Sequence, residues 1–232
     1  MASILKCDSL TKKYGNKVAL DNISLDIPSG GIVGLLGPNG SGKTTLIKLI
    51  CGLLTPTSGI ITVDGSPIGV ESKKKVAYLP DSMFLSNQMT VAKEIKFFND
   101  FFEDFDPVKA EEMVAALGVD LNATVGNLSK GNKEKVALIL TMSRSAKLYL
   151  LDEPIAGVDP ATRDYILKTI IRNYAEDAAV VITTHLIADI ETVLERVVFL
   201  HNGVIHLDDE TDNMREKYGM SVDGYFREVF KW

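Results

Sequence analysis

Eight consecutive residues carry the clearest chemistry in this 232-residue chain: Gly37-Pro38-Asn39-Gly40-Ser41-Gly42-Lys43-Thr44, continued by Thr45. The spacing is G-x-x-x-x-G-K-[ST]. Glycines let the backbone curl so that successive N–H groups point inward at phosphate oxygens, and a helix beginning near Lys43 adds its positive dipole end. Lys43 would neutralise the β and γ phosphates, and the Thr44 hydroxyl would hold Mg2+. A glycine-rich turn with a chance Lys-Thr is the plain alternative. It loses because this stretch lies between one apolar run that reads as a strand and another that reads as a helix, where phosphate binding requires it. ATP and Mg2+ are the expected ligands.

Two acids close a second apolar run, Leu148-Tyr149-Leu150-Leu151-Asp152-Glu153. Unpaired carboxylates are costly to bury, so acids at the carboxyl end of a buried strand face a cation or a substrate crevice. Asp152 suits Mg2+, and Glu153, pointing the other way along the strand, suits polarisation of an attacking water. A capping or turn acid pair is the alternative, and the phosphate loop decides against it.

The elements that must position these residues are an α/β set. Ile32-Val33-Gly34-Leu35-Leu36 reads as a short buried strand running through the glycine-rich turn into an apolar helix over residues 44–53. Residues 148–151 and 180–184 read as further buried parallel strands. Ile23-Ser24-Leu25-Asp26-Ile27 and residues 59–65 alternate polar and apolar, as half-buried antiparallel strands do. Asp106-Pro107 and Asp159-Pro160 each set an N-cap with Pro at the first helical position, and Gly118 closes the first of these helices. Asn202-Gly203 between residues 197–201 and 204–207 predicts a type I′ hairpin.

Lys and Arg total 25 against 31 Asp and Glu, a formal charge of -6, so a nucleic-acid backbone is a disfavoured partner. The first eight residues have no charged start followed by a signal-length apolar stretch. The longest uncharged stretches, such as residues 49–63, fall short of the roughly 18 apolar residues that span a bilayer. Cys7 and Cys51 stand alone and read as buried, reduced thiols.

At this point the sequence resembles the ATPase subunits of ATP-binding cassette (ABC) transporters over nearly its whole length. Six segments fall in that family's order: Lys13-Tyr14-Gly15, the phosphate loop, Val76-Ala77-Tyr78-Leu79-Pro80-Asp81, Leu128-Ser129-Lys130-Gly131-Asn132, Asp152-Glu153-Pro154 leading to Ala156-Gly157-Val158-Asp159, and His185. The resemblance implies that Tyr14 stacks on adenine and that Ser129 and Gly131 touch the γ-phosphate bound by another subunit. It also implies that Asp159 lies in the D-loop and that His185 is a catalytic γ-phosphate contact beside Glu153. Thr44, Asp152 and Asp81 become the expected Mg2+ ligands. Two departures stand out. The family usually has Gln where this chain has Asp81, and Lys130 and Asn132 replace Gly and Gln of the signature.

The implied fold is a single domain over residues 1–232: a phosphate-loop NTPase core with a mainly parallel sheet, an N-terminal antiparallel β region, and a helical insertion over residues 82–145. The implied partners are an integral membrane transporter subunit and a second copy of this chain, or a homologous ATPase subunit, in a head-to-tail dimer. Location on the cytoplasmic face of the cell membrane and an export direction follow from the same resemblance. A soluble ABC-type ATPase, a small-molecule kinase on the same loop and a non-catalytic regulatory cassette stay open. Phe97, Phe98, Phe101, Phe102 and Phe105 recur at helical spacing, and some of them are expected to line a groove for a membrane-subunit helix. Lys73-Lys74-Lys75 reads as a solvated turn, His201 and His206 as structural, and residues 224–232 as a terminal helix.

Overall fold

The computed structural model describes residues 3–230. Two sheets and a set of helices share two hydrophobic cores. The smaller sheet is antiparallel, with strands β1 (Ser3–Tyr14), β2 (Lys17–Pro28), β4 (Ser58–Val63) and β5 (Ser66–Pro67) in the order β2-β1-β4-β5. The larger sheet has the order β10-β9-β3-β8-β7-β6. Its members are β3 (Ile32–Leu36), β6 (Val76–Leu79), β7 (Leu148–Asp152), β8 (Ala179–Thr183), β9 (Arg196–His201) and β10 (Val204–Glu210). All neighbours in it are parallel except β9 and β10, which form the hairpin expected at Asn202-Gly203. This is the α/β fold with a mainly parallel sheet and an antiparallel β region.

Strands β3, β7 and β8 are buried at every residue, as continuous apolar runs require when both faces of a parallel sheet are covered. The two-residue period divides them between the cores. Val33, Leu35, Leu148, Leu150 and Val181 face the antiparallel sheet and helix α1 (Lys43–Ile50); Ile32, Leu36, Tyr149, Leu151 and Ile182 face the helices on the other side. The phosphate loop thus leaves the large sheet at the end of β3 and enters a helix held between the two sheets.

Helices α2 (Val70–Lys74), α3 (Val91–Phe101), α4 (Pro107–Ala116) and α5 (Lys130–Met142) follow, then α6 (Pro160–Asn173), the short α7 (Ile187–Ile190), α8 (Thr211–Tyr218) and α9 (Val222–Phe230). The Asp106 and Asp159 carboxylates accept from the N–H groups of Lys109 and Thr162, so both expected caps form. Gly118 follows α4 at φ 68°, where glycine costs no Cβ strain. Lys73 and Lys74 end α2 instead of forming a turn, and Lys75 pairs with Asp64 at 2.7 Å. The terminal helix occupies Val222–Phe230; Lys231 and Trp232 lie outside the described residues.

The phenylalanine run divides by helical face. Phe98 and Phe105 belong to the core, whereas Phe97 and Phe101 stack at 6.1 Å and are 51% and 70% exposed. A groove of about 390 Å3 runs between α3 and β6, lined by Cys51, Tyr78, Phe97, Phe101, Phe102 and Arg144 among others. Arg144 is buried at its floor. Its guanidinium donates to Lys74 O, Val76 O and the Asp104 carboxylate and lies 4.0 Å from the centre of the Phe102 ring. Among the described residues, no helix is long and apolar enough to cross a membrane.

Candidate functional site

The phosphate loop owes its shape to what packs behind it. A Cβ on Gly37 would stand 2.1 Å from Leu200 O, so only glycine lets the loop leave β3 against β9. Gly40 and Gly42 adopt φ of 80° and 114°, beyond what most side chains tolerate. Lys43 is buried and folds back over the loop, donating from Nζ to Gly37 O (2.7 Å) and Pro38 O (3.2 Å). Burial lowers its pKa, and the carboxylates of Glu153 and Asp152 partly offset that. The ammonium therefore rests on neutral acceptors that an anion can replace.

Asp152 ends β7 fully buried. Its Oδ1 accepts from Thr183 Oγ1 at 2.5 Å, while Oδ2 has no hydrogen-bond partner. Desolvation raises its pKa, the hydroxyls of Thr183 and Thr44 pull it down, and nearby Asp81 and Glu153 push it up again. An orphaned buried carboxylate oxygen beside a threonine hydroxyl suits a hard cation such as Mg2+.

Alternation along β7 predicts that Glu153 points away from Asp152. Instead, Glu153 adopts φ 53° and leaves the strand, so both acids line one cleft. Thr183 holds this unusual backbone: its Oγ1 and its carbonyl accept from the Glu153 N–H at 3.0 and 3.1 Å. Glu153 Oε2 in turn lies 3.0 Å from Nδ1 of His185. Thr183 was not among the residues expected to act. The available signal was a threonine pair closing the apolar run of β8.

One cleft of about 810 Å3 gathers Tyr14, Asn39, Gly40, Ser41, Gly42, Lys43, Thr44, Thr45, Asp81, Asp152 and Glu153. Tyr14, at the end of β1, is half exposed there with Lys12 Nζ 5.1 Å from its ring centre. Lys17, Val18, Ala19, Asn202 and Gly203 complete the walls and were missed by motif reading. Gly37, Pro38 and Asn39 share an adjoining pocket with His185.

Ser129, Gly131 and Asp159 lie elsewhere. Ser129 caps α5, its hydroxyl accepting from the Asn132 N–H. Gly131 packs on α6, where an added Cβ would lie 3.2 Å from Thr162 Oγ1 and 3.9 Å from Asp159 Oδ2. None of the three lines the phosphate-loop cleft, although Lys130 between Ser129 and Gly131 shares a second cavity with Asn39, Asp81, Glu153 and His185.

Residues 20–156 match the ABC transporter family. The SkfA peptide export ATP-binding protein SkfE of Bacillus subtilis (strain 168) is 32% identical over 211 residues, covering 88% of this chain and 88% of that protein. The linearmycin resistance ATP-binding protein LnrL of the same organism is 29% identical, covering 90% of this chain and 70% of that one. A solved ATP binding subunit of an ABC transporter superposes with a TM-score of 0.87 at 27% identity, over 98% of this chain and 99% of that chain. The chain belongs to the ABC transporter family, among its ATP-binding subunits.

Proposed function

We propose that this chain hydrolyses ATP to ADP and phosphate and couples that reaction to export through a separate membrane subunit. The observation that supports the chemistry best is the convergence of Lys43, Asp152, Glu153 and Asp81 on one cleft, with His185 bonded to Glu153. Lys43 and the loop N–H groups stabilise the transferring phosphoryl group. Glu153 accepts a hydrogen bond from the attacking water and takes up its proton as the new O–P bond at the γ-phosphate forms and the bond to the ADP oxygen breaks. His185 holds the Glu153 carboxylate and reaches toward that phosphate. Thr44 and Asp152, with Asp81 beside them, would hold Mg2+, which would supply positive charge to offset that of the phosphates.

The separate position of Ser129, Gly131 and Asp159 supports a head-to-tail pair in which each ATP lies between one chain's phosphate loop and the other chain's signature segment. The export direction rests on relatives named for peptide export and linearmycin resistance. The aromatic groove beside α3 is the surface we assign to a helix of the membrane subunit, on the cytoplasmic side of the membrane. Phosphate release from ATP without any added acceptor tests the reaction. Loss of that release in Lys43→Ala is expected, and turnover only in the presence of a phosphate acceptor would establish a kinase instead.

A further inference from the structure

One residue links the two ends of the nucleotide cleft. Gly203 stands in the β9–β10 turn at φ 79°. Its N–H donates to Ser41 O in the phosphate loop at 3.0 Å, and its carbonyl accepts from the Asp21 N–H in β2 at 2.8 Å. Strand β2 follows Tyr14 and lines the other end of the cleft through Lys17, Val18 and Ala19.

Packing makes the same connection a second time. A Cβ on Gly203 would stand 2.7 Å from Ala19 O, and a Cβ on Gly42 would stand 2.7 Å from that same oxygen. The Ala19 carbonyl is therefore lodged between two glycines, one from the turn and one from the phosphate loop. Hairpin chemistry accounts for positive φ at Asn202 and Gly203. It does not account for a turn that directs its N–H and C=O to two different segments of the site, because hairpin tips are ordinarily solvated.

We propose that Gly203 is a positioning residue for the nucleotide: it fixes the separation between β2 and the phosphate loop, so that base and phosphates meet one rigid site. This rests on reading the cleft as the ATP site. A ligand spanning both ends gains from such preorganisation, whereas one confined to the loop does not. In Gly203→Ala the new methyl group pushes on Ala19 O and on Leu20 Cα, 3.1 Å away, both in β2. The substituted residue keeps the N–H that donates to Ser41 O. The three atoms nearest the new methyl all belong to β2, so the base wall takes the larger displacement and the loop, reached only through Ala19 O, the smaller.

Titration calorimetry of the full chain with ATP and, separately, with inorganic tripolyphosphate, both with Mg2+, tests the idea. Gly203→Ala is expected to weaken ATP about tenfold and tripolyphosphate less than about twofold. Equal effects on the two ligands, including no effect on either, overturn the coupling alone. Failure of the unsubstituted chain to bind ATP overturns the ATP site and the coupling with it. Should Gly203→Ala not fold, amide hydrogen exchange on the unsubstituted chain decides. Tripolyphosphate reaches only the loop, so slowed exchange at Asp21 supports the link and unchanged exchange there overturns it.

Discussion

Nδ1 of His185 and Oε2 of Glu153 lie 3.0 Å apart, joining the end of β8 to the end of β7 across the mouth of the phosphate-loop cleft. The pair survives removal of one charge, because a glutamine amide at position 153 still reaches the imidazole. Glu153→Gln is therefore expected to fold and bind ATP while losing at least about a hundredfold in turnover, the share general-base residues supply. Phosphate release and gel filtration with ATP check this, the variant running as a dimer. Undiminished turnover would remove Glu153 from its role.

Asp152 gives a pH-dependent prediction. Burial raises its pKa in the fold above the unfolded value, so it favours the fold when protonated and that contribution is lost as pH rises through the raised value. At neutral pH the carboxylate with an orphaned Oδ2 destabilises the nucleotide-free chain. Asp152→Asn should raise nucleotide-free stability by about 1 kcal/mol, or roughly 2–4 °C in melting temperature. It should also shrink the added stability from ATP with Mg2+. Thermal melts of both proteins, with and without the nucleotide, measure both effects; an unchanged Mg2+ increment contradicts the assignment.

The aromatic groove separates assembly from folding. Phe98→Ala removes a core side chain and should cost about 3 kcal/mol of stability. Phe97→Ser and Phe101→Ser, at exposed positions, should change stability by no more than about 0.5 kcal/mol. If a membrane-subunit helix lies there, the exposed pair is expected to abolish co-purification with the membrane subunit. Intact assembly in both would show that the groove is not the docking surface.

Cys7 and Cys51 are both buried, and burial pushes each thiol up to about 12. Neither is a competent nucleophile near neutral pH. A thiol-disulfide reagent should find no reactive thiol in the folded chain at mildly alkaline pH and two after denaturation. Rapid labelling of Cys51 would mean that the groove opens around it.

Local patterns in the sequence indicate much of this fold because each follows from a local rule. The loop glycines, the Asp106 and Asp159 caps and the Asn202-Gly203 turn satisfy backbone needs within a few residues. The apolar runs of β3, β7 and β8 declare their own burial. What escaped needed contacts between distant segments. Glu153 leaves its strand because Thr183, thirty residues on, holds its N–H. Phe98 and Phe101 are indistinguishable by type, and only the packing of α3 decides which is covered. Lys73 and Lys74 end a helix that five residues of sequence could not announce. The family resemblance indicates the order of the segments around the cleft, whereas Thr183, Ala19 and Gly203 take their places only through the packing of the folded chain.

Ser129, Gly131 and Asp159 do not line their own chain's phosphate-loop cleft, which has a genetic consequence under the head-to-tail arrangement. A chain carrying Lys43→Ala and one carrying Ser129→Arg, each inert as a homodimer, would form mixed dimers with one doubly damaged site and one wholly intact site. Two loss-of-function alleles of the same gene would then complement each other, whereas two Lys43 alleles never would.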